Sequence, residues 1–147
     1  LGRTSKTLEI ILDDRDIPSY KEERLKEINM GDWEGRNVER LKKECPEKYE
    51  TFWKKPDLFK PGSGESYYEV QERVLSSLYE ILDKHPDDNI LIVSHGCASK
   101  IILSHFEQRP MRKLWAPPKI KESSLSVINI EDGEPKIELF GDTSHYC

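Results

Sequence analysis

The residues best placed to do chemistry are Ser94-His95-Gly96, which follow an apolar segment and precede a predicted helix. In α/β proteins, ligands gather at the carboxyl ends of the strands. A helix N-terminus at that edge offers unpaired N–H groups and a positive dipole end, which together bind phosphate. Glycine after the histidine lets an anion approach the backbone closely. The pattern indicates a phosphate site, and an ordinary loop histidine at position 95 is an equally good interpretation.

A second candidate is a carboxylic acid in the segment Leu25 to Gly35. An acid near a phosphate can protonate a leaving oxygen if the anion raises the pKa of the carboxyl group. The segment contains Glu27, Asp32 and Glu34, and their spacing does not choose among them. A solvated acidic loop is the simpler interpretation without further information.

Arg3 is the third candidate. Arginine binds phosphate through paired donors in a planar fork. A single arginine in a chain with 23 Lys and Arg residues indicates nothing by itself.

Several other kinds of site are excluded by spacing. The four histidines show no compact metal-ligand spacing such as H-x-x-x-H, so no metal ion is expected. There is no G-x-S-x-G segment of the kind that carries a nucleophilic serine. Gly62-Ser63-Gly64 lies in a predicted loop and does not match the G-x-x-x-x-G-K-[ST] phosphate loop.

Length and charge limit the classes of protein that fit. A chain of 147 residues corresponds to a single domain. The net charge of −5 argues against general binding to nucleic acid or to anionic membranes. No apolar segment approaches the roughly 20 residues of a membrane span. The cysteines, Cys45, Cys97 and Cys147, are odd in number and widely spaced, which favours a reducing cytoplasm.

The elements that must position these residues can be predicted from periodicity. Apolar residues at helical spacing predict a helix from about Thr4 to Leu12 and another from a cap at Asn37 to Cys45. Residues 56–64 are rich in Pro and Gly and predict a surface loop. Ser66 and Glu69 match a capping box that begins a long amphipathic helix ending before Pro86.

The second half of the chain alternates between strand and helix patterns. Ile90 to Val93 are four consecutive apolar residues, which predict a strand buried on both faces of a parallel sheet. A helix follows from Gly96. Leu125 to Ile130 and Lys136 to Phe140 predict two strands of a hairpin, because the intervening Asp-Gly tolerates positive φ. The fold class is therefore α/β.

Taken together and in order, these segments resemble the histidine phosphatase superfamily, also called the phosphoglycerate-mutase-like family. The resemblance covers nearly the whole chain. It is carried by Leu1 to Thr7, Leu25 to Gly35, Gly64-Glu65-Ser66 at the start of a long helix, Val93-Ser94-His95-Gly96, Ser124 to Ile130, and Asp142 to His145.

The resemblance implies roles for five residues. Arg3 matches a phosphate-binding arginine, Glu27 the proton-donor glutamate, and His95 a histidine that stabilises the phosphoryl group. The backbone at Gly96 is expected to contact the phosphate, and Ser66 is a weaker candidate for substrate binding.

The family's first motif, R-H-G, does not occur in these residues. In the family its histidine accepts the phosphoryl group. The resemblance therefore implies a three-layer α/β/α fold with a mostly parallel sheet and helices on both faces, lacking its first strand and helix. We expect residues 1–147 to be a single domain that is incomplete at its N-terminus.

The implied activity is that of a phosphatase or phosphomutase acting on a small phosphorylated metabolite, without a metal or cofactor. The alternative is a non-catalytic relative that binds phosphorylated ligands. The chain alone is expected to be inactive, and its oligomeric state stays open, a homodimer included. Neither nucleic acid nor membrane is expected as a partner.

Overall fold

The structure is a computed structural model that describes residues 2–146. Helices and strands follow one another in the order α1 (Gly2–Leu12), α2 (Val38–Glu44), α3 (Pro46–Lys54), α4 (Tyr67–Lys84), α5 (Gly96–Phe106), β1 (Leu125–Glu131) and β2 (Glu134–Asp142). Short 3₁₀ turns lie at Glu23–Leu25, Gly31–Trp33, Pro56–Leu58 and Met111–Lys113. No helix among residues 2–146 is long and apolar enough to cross a membrane.

Helix α4 has the predicted start. The Ser66 hydroxyl accepts from Glu69 N–H while the Glu69 carboxylate accepts from Ser66 N–H, which completes the capping box. Val70, Val74 and Leu78 recur at helical spacing and are buried against α5 and the turn at Glu23–Leu25. This helix is therefore the central support of the described part of the chain.

An aromatic cluster fills the core beside α4. The cluster consists of four buried side chains, Trp33, Phe52, Phe59 and Tyr67. In the pairs that are in contact, the ring centroids lie 5.0 to 6.0 Å apart. The Tyr67 hydroxyl donates to Phe52 O at 3.0 Å and accepts from Trp115 Nε1–H at 3.0 Å. The prediction of a surface loop over residues 56–64 is therefore wrong for its first part, where Phe59 packs into this cluster.

The C-terminal hairpin is confirmed. β1 and β2 pair antiparallel, with Glu131 opposite Glu134 at the turn. Asp132 and Gly133 have φ of 52° and 81°, the left-handed values that a two-residue turn needs. The strands observed in the described residues are thus antiparallel.

The paired strand predicted at Ile90 to Val93 is wrong for residues 2–146. The structure assigns no strand there, and Leu91 is 54% exposed instead of buried on both faces. A strand forms only beside a neighbouring backbone, and no described segment pairs with this one. Helix α1 is confirmed, yet none of its residues is buried and Ile10 is 69% exposed. The parallel sheet of the expected three-layer fold is not formed within residues 2–146.

Candidate active site

The N-terminus of α5 packs against the segment that carries Glu27. His95 has extended backbone angles and is the residue from which the helix begins, so Gly96 and Cys97 are its first two helical residues. One residue earlier, the Ser94 hydroxyl donates to Leu25 O at 2.6 Å. Two short segments far apart in sequence are thereby held side by side.

The Glu27 carboxylate lies at this helix terminus. Cys97 N–H donates to both carboxylate oxygens, with N–O distances of 3.2 and 3.3 Å, and Ile28 N–H donates to Oε1 at 3.0 Å. A Cβ placed on Gly96 would have Glu27 Oε2 as its nearest neighbour, at 3.8 Å. A negative charge at a helix N-terminus is favourable, because unpaired N–H groups point towards it.

The other two acidic candidates have different partners. The Asp32 carboxylate accepts from the Ser63 hydroxyl at 3.2 Å, and the Glu34 carboxylate accepts from Met30 N–H at 2.8 Å. Both residues are exposed. Of the three acidic candidates, only Glu27 has a hydrogen bond to α5 among the described residues, so the geometry favours Glu27 where spacing did not distinguish them.

His95 is half-buried beside Glu27, and its electrostatic environment includes Arg3. Burial lowers the pKa of His95, the negative charge of Glu27 opposes that shift, and the positive charge of Arg3 adds to it. Arg3 itself lies exposed in the first turn of α1. The structure thus brings Glu27, His95 and Gly96 together, and Arg3 is connected to them through the effect of its charge on the pKa of His95.

Ser66 has a structural task in the described residues. Its hydroxyl accepts from Glu69 N–H at 3.3 Å and donates to the Glu69 carboxylate at 2.7 Å. No hydrogen bond joins it to Glu27 or His95 within residues 2–146. Its weaker role in substrate binding stays a prediction.

Sequence reasoning missed an ion pair below the Glu27 segment, formed by Arg73 of α4 and Glu65. Arg73 Nε and Nη2 donate to the two Glu65 carboxylate oxygens at 2.6 and 2.9 Å. The remaining Arg73 N–H groups donate to the carbonyl oxygens of Arg24 at 2.6 Å, Lys26 at 3.0 Å and Glu27 at 3.1 Å. The guanidinium therefore binds the backbone of the proton-donor candidate and of the residues just before it.

Glu65 extends the same set of contacts. Its carboxylate accepts from Asn29 N–H at 2.8 Å, and Glu65 N–H donates to Asn29 O at 2.8 Å. Hydrogen bonds from Arg73 hold the pKa of Glu65 below its ordinary value. The sequence contains one signal for this pair, because Arg73 is a charged residue between Val70 and Val74 on the face of α4 that is buried.

The arrangement suits acid–base chemistry on an anion. It places a carboxylate, a histidine and helix N–H groups within one short stretch of surface, with an arginine close enough to influence the histidine. Among residues 2–146, no group of three or more His, Cys, Asp or Glu side chains is arranged to hold a metal ion.

Comparison with known proteins gives consistent relatives. The profile of the histidine phosphatase superfamily, branch 1, matches residues 1–143. Phosphoglycerate mutase-like protein 4 of Arabidopsis thaliana is 34% identical over 139 residues, covering 92% of this chain and 54% of that protein. The structure of Bacillus stearothermophilus YhfR superposes with a TM-score of 0.94 at 37% identity, covering 98% of this chain and 71% of that one.

A third relative carries a phosphatase name. The alpha-ribazole phosphatase of Shigella flexneri superposes with a TM-score of 0.83 at 25% identity, covering 97% of this chain and 70% of that one. Relatives of the chain are thus phosphatases or mutases. The chain spans about half the length of the Arabidopsis protein that it matches.

Proposed function

Because the chain belongs to the histidine phosphatase superfamily, we propose that the intact protein is a phosphomonoesterase or phosphomutase that acts through a phosphohistidine. The observation that carries the proposal is the position of the Glu27 carboxylate at the N-terminus of α5, beside His95. This is the arrangement that a general acid needs next to an anion-binding helix end. Arg3 and Gly96 belong to the same proposed site.

The first proposed step transfers the phosphoryl group to the protein. A histidine nitrogen attacks phosphorus, the bond from phosphorus to the ester oxygen breaks, and Glu27 gives its proton to the departing alcohol. The charge of Arg3, the N–H groups at the start of α5 and protonated His95 stabilise the phosphoryl oxygens during transfer. Because a nearby dianion favours the protonated form of a carboxyl group, substrate binding prepares the acid for this step.

The second step releases the phosphoryl group. The oxygen of the acceptor attacks phosphorus and the phosphorus–nitrogen bond breaks, while Glu27, now ionised, takes the proton of the acceptor. Water as the acceptor makes the protein a phosphatase, and a substrate hydroxyl makes it a mutase. The segment Gly31-Asp32-Trp33-Glu34-Gly35 resembles the form found in bacterial-type phosphatases of the family more than that of the glycolytic mutases, and on this resemblance we favour the phosphatase.

The nucleophilic histidine of this proposal is absent from residues 1–147. These residues contain no R-H-G motif, and we assign His95 to the role of stabilising the phosphoryl group. We place the R-H-G histidine upstream, on the first strand of a three-layer α/β/α fold. The exposure of Leu91 and of α1 supports a sheet that would cover both. A cytoplasmic location and a small phosphorylated metabolite complete the proposal.

The alternative is a relative that binds phosphorylated ligands without turning them over, which the absence of R-H-G favours for these residues alone. Phosphate release from p-nitrophenyl phosphate separates the two. We expect hydrolysis by protein that carries an upstream R-H-G segment, no turnover above background by residues 1–147, and a loss of about 10²–10³-fold in the longer His95→Ala variant.

A matched control is His85→Ala, which removes an exposed histidine paired only with Asp88 in the described residues. Its activity should equal that of the unaltered protein. If the longer protein binds phosphate and hydrolyses nothing, the non-catalytic alternative is correct. If residues 1–147 hydrolyse the ester and His95→Ala abolishes that activity, the assignment of the nucleophile to an upstream segment is wrong.

A further inference from the structure

The segment that carries Glu27 has little regular structure of its own. A single 3₁₀ turn ends at Leu25, and the next begins at Gly31. Residues 26–30 between the two turns form no helix or strand. A catalytic carboxylate on such a segment needs support from neighbouring elements, because loss of position by about 1 Å can cost about 10²-fold in rate.

The Arg73 guanidinium supplies much of that support. An arginine has five N–H donors in a fixed planar fork, and Arg73 uses all of them. Nε and one Nη2 donor bind Glu65, and the other three bind the carbonyl oxygens of Arg24, Lys26 and Glu27. A lysine offers three donors on a single nitrogen and cannot reproduce this geometry.

Glu65 orients the guanidinium and binds the far end of the same segment. It accepts two hydrogen bonds from Arg73 and one from Asn29 N–H. The two side chains are only 21% and 24% exposed, so solvent screens the pair less than it screens surface pairs. One ion pair thus fixes backbone groups on both sides of Glu27.

We propose that Arg73 and Glu65 are positioning residues for the general acid. They hold the backbone of residues 24–29 so that the Glu27 carboxylate remains at the N-terminus of α5, facing the leaving oxygen. The proposal rests on the proposed function, because Glu27 must be the acid for its position to affect the rate. Neither residue touches the phosphate.

The choice of leaving group reveals this role. An alkoxide is a poor leaving group and needs a proton, whereas p-nitrophenolate departs without one. Loss of the acid therefore slows hydrolysis of β-glycerol phosphate far more than hydrolysis of p-nitrophenyl phosphate. A general loss of folded protein slows both equally.

The experiment measures kcat and KM for both esters with the full-length protein and its Arg73→Lys and Glu65→Gln variants. We expect kcat/KM for β-glycerol phosphate, which reports the steps through phosphoryl transfer to the histidine, to fall about 10²-fold in each variant. We expect kcat/KM for p-nitrophenyl phosphate to stay within about twofold, since phosphate binding does not use the pair and this leaving group needs no proton. Release of the phosphoryl group from the histidine also uses Glu27 and contributes to kcat with either ester, so the comparison is made on kcat/KM. Glu65→Gln keeps the shape of the side chain, so it serves if Arg73→Lys does not fold.

The matched control is Glu80→Gln. Glu80 also joins α4 to the segment, but it binds the Arg24 side chain at the surface, where the two side chains are 49% and 38% exposed. This variant should behave like the unaltered protein with both esters.

Glu27→Gln separates the two hypotheses. If it lowers kcat/KM for both esters equally or for neither, Glu27 is not the acid and the proposed function fails. If Glu27→Gln discriminates between the esters while folded Arg73→Lys and Glu65→Gln do not, the positioning role alone is overturned. A shared preference of all three variants for p-nitrophenyl phosphate supports the positioning role of Arg73 and Glu65.

Discussion

Replacing Glu27 with glutamine should strengthen phosphate binding while it slows turnover of alkyl phosphates. The substitution removes the negative charge at the N-terminus of α5, where Cys97 N–H now donates to the carboxylate at 3.2 and 3.3 Å. The amide oxygen of glutamine still accepts from that N–H group. The substitution therefore removes the charge of the Glu27 side chain and keeps its shape.

The size of the effect follows from Coulomb's law. A phosphate dianion at the same helix terminus would lie about 5 Å from the carboxylate, and with a dielectric constant near that of water the repulsion is about 2 kcal/mol. The high value of the dielectric constant applies because Glu27 is only half-buried. Removing about 2 kcal/mol of repulsion tightens binding about 30-fold.

Isothermal titration calorimetry with inorganic phosphate at pH 7 measures this change. The matched control is Glu34→Gln, since Glu34 also accepts from a backbone N–H group in the same acidic segment but does not contact α5 within residues 2–146. That variant should bind phosphate as the unaltered protein does. Unchanged or weaker binding in Glu27→Gln would refute the placement of the anion beside Glu27.

Three further predictions concern the same structure. Bound phosphate should raise the pKa of His95, which burial and the charge of Arg3 lower in the free protein. Affinity for the phosphate dianion should therefore fall as pH rises through the His95 titration. An NMR titration in which phosphate does not move the pKa of His95 would contradict the proposed site. Tyr67→Phe leaves Phe52 O and Trp115 Nε1–H unpaired in the core and should lower the free energy of unfolding by about 2–4 kcal/mol in urea, and a change below about 0.5 kcal/mol would refute those hydrogen bonds. Ser66→Ala should lower the free energy of unfolding by about 1 kcal/mol through loss of the helix cap. Ser66→Asn keeps a cap without the hydroxyl, so a higher KM in Ser66→Asn would reveal a role in substrate binding, and an unchanged KM would contradict one.

Local elements could be predicted from the sequence because their causes lie within a few residues. The capping box of Ser66 and Glu69 and the Asp132-Gly133 turn each involve neighbours in the chain, and both occur as expected. The apolar segment Ile90 to Val93 is different, because its pattern records a need for burial and not the neighbour that meets it. No described segment pairs with it, so it forms no strand within residues 2–146.

The site could be predicted only in part. Spacing could not choose Glu27 over Asp32 and Glu34, because the choice depends on contact with Cys97, which lies 70 residues away in the chain. The Arg73–Glu65 pair was missed for a related reason. Its backbone partners lie 46 to 49 residues from Arg73 in the chain. Every residue has a carbonyl oxygen, so the residue types do not show which of them accepts a hydrogen bond.

The central claim is that the intact protein forms a phosphohistidine outside residues 1–147, with Glu27 and His95 serving that group. The direct measurement is to incubate the full-length protein with a ³²P-labelled phosphomonoester, quench it rapidly, and map the acid-labile label by peptide sequencing. We expect label on the histidine of an upstream R-H-G segment. Label on any of the four histidines of residues 1–147, or steady turnover with no labelled histidine at all, would contradict it.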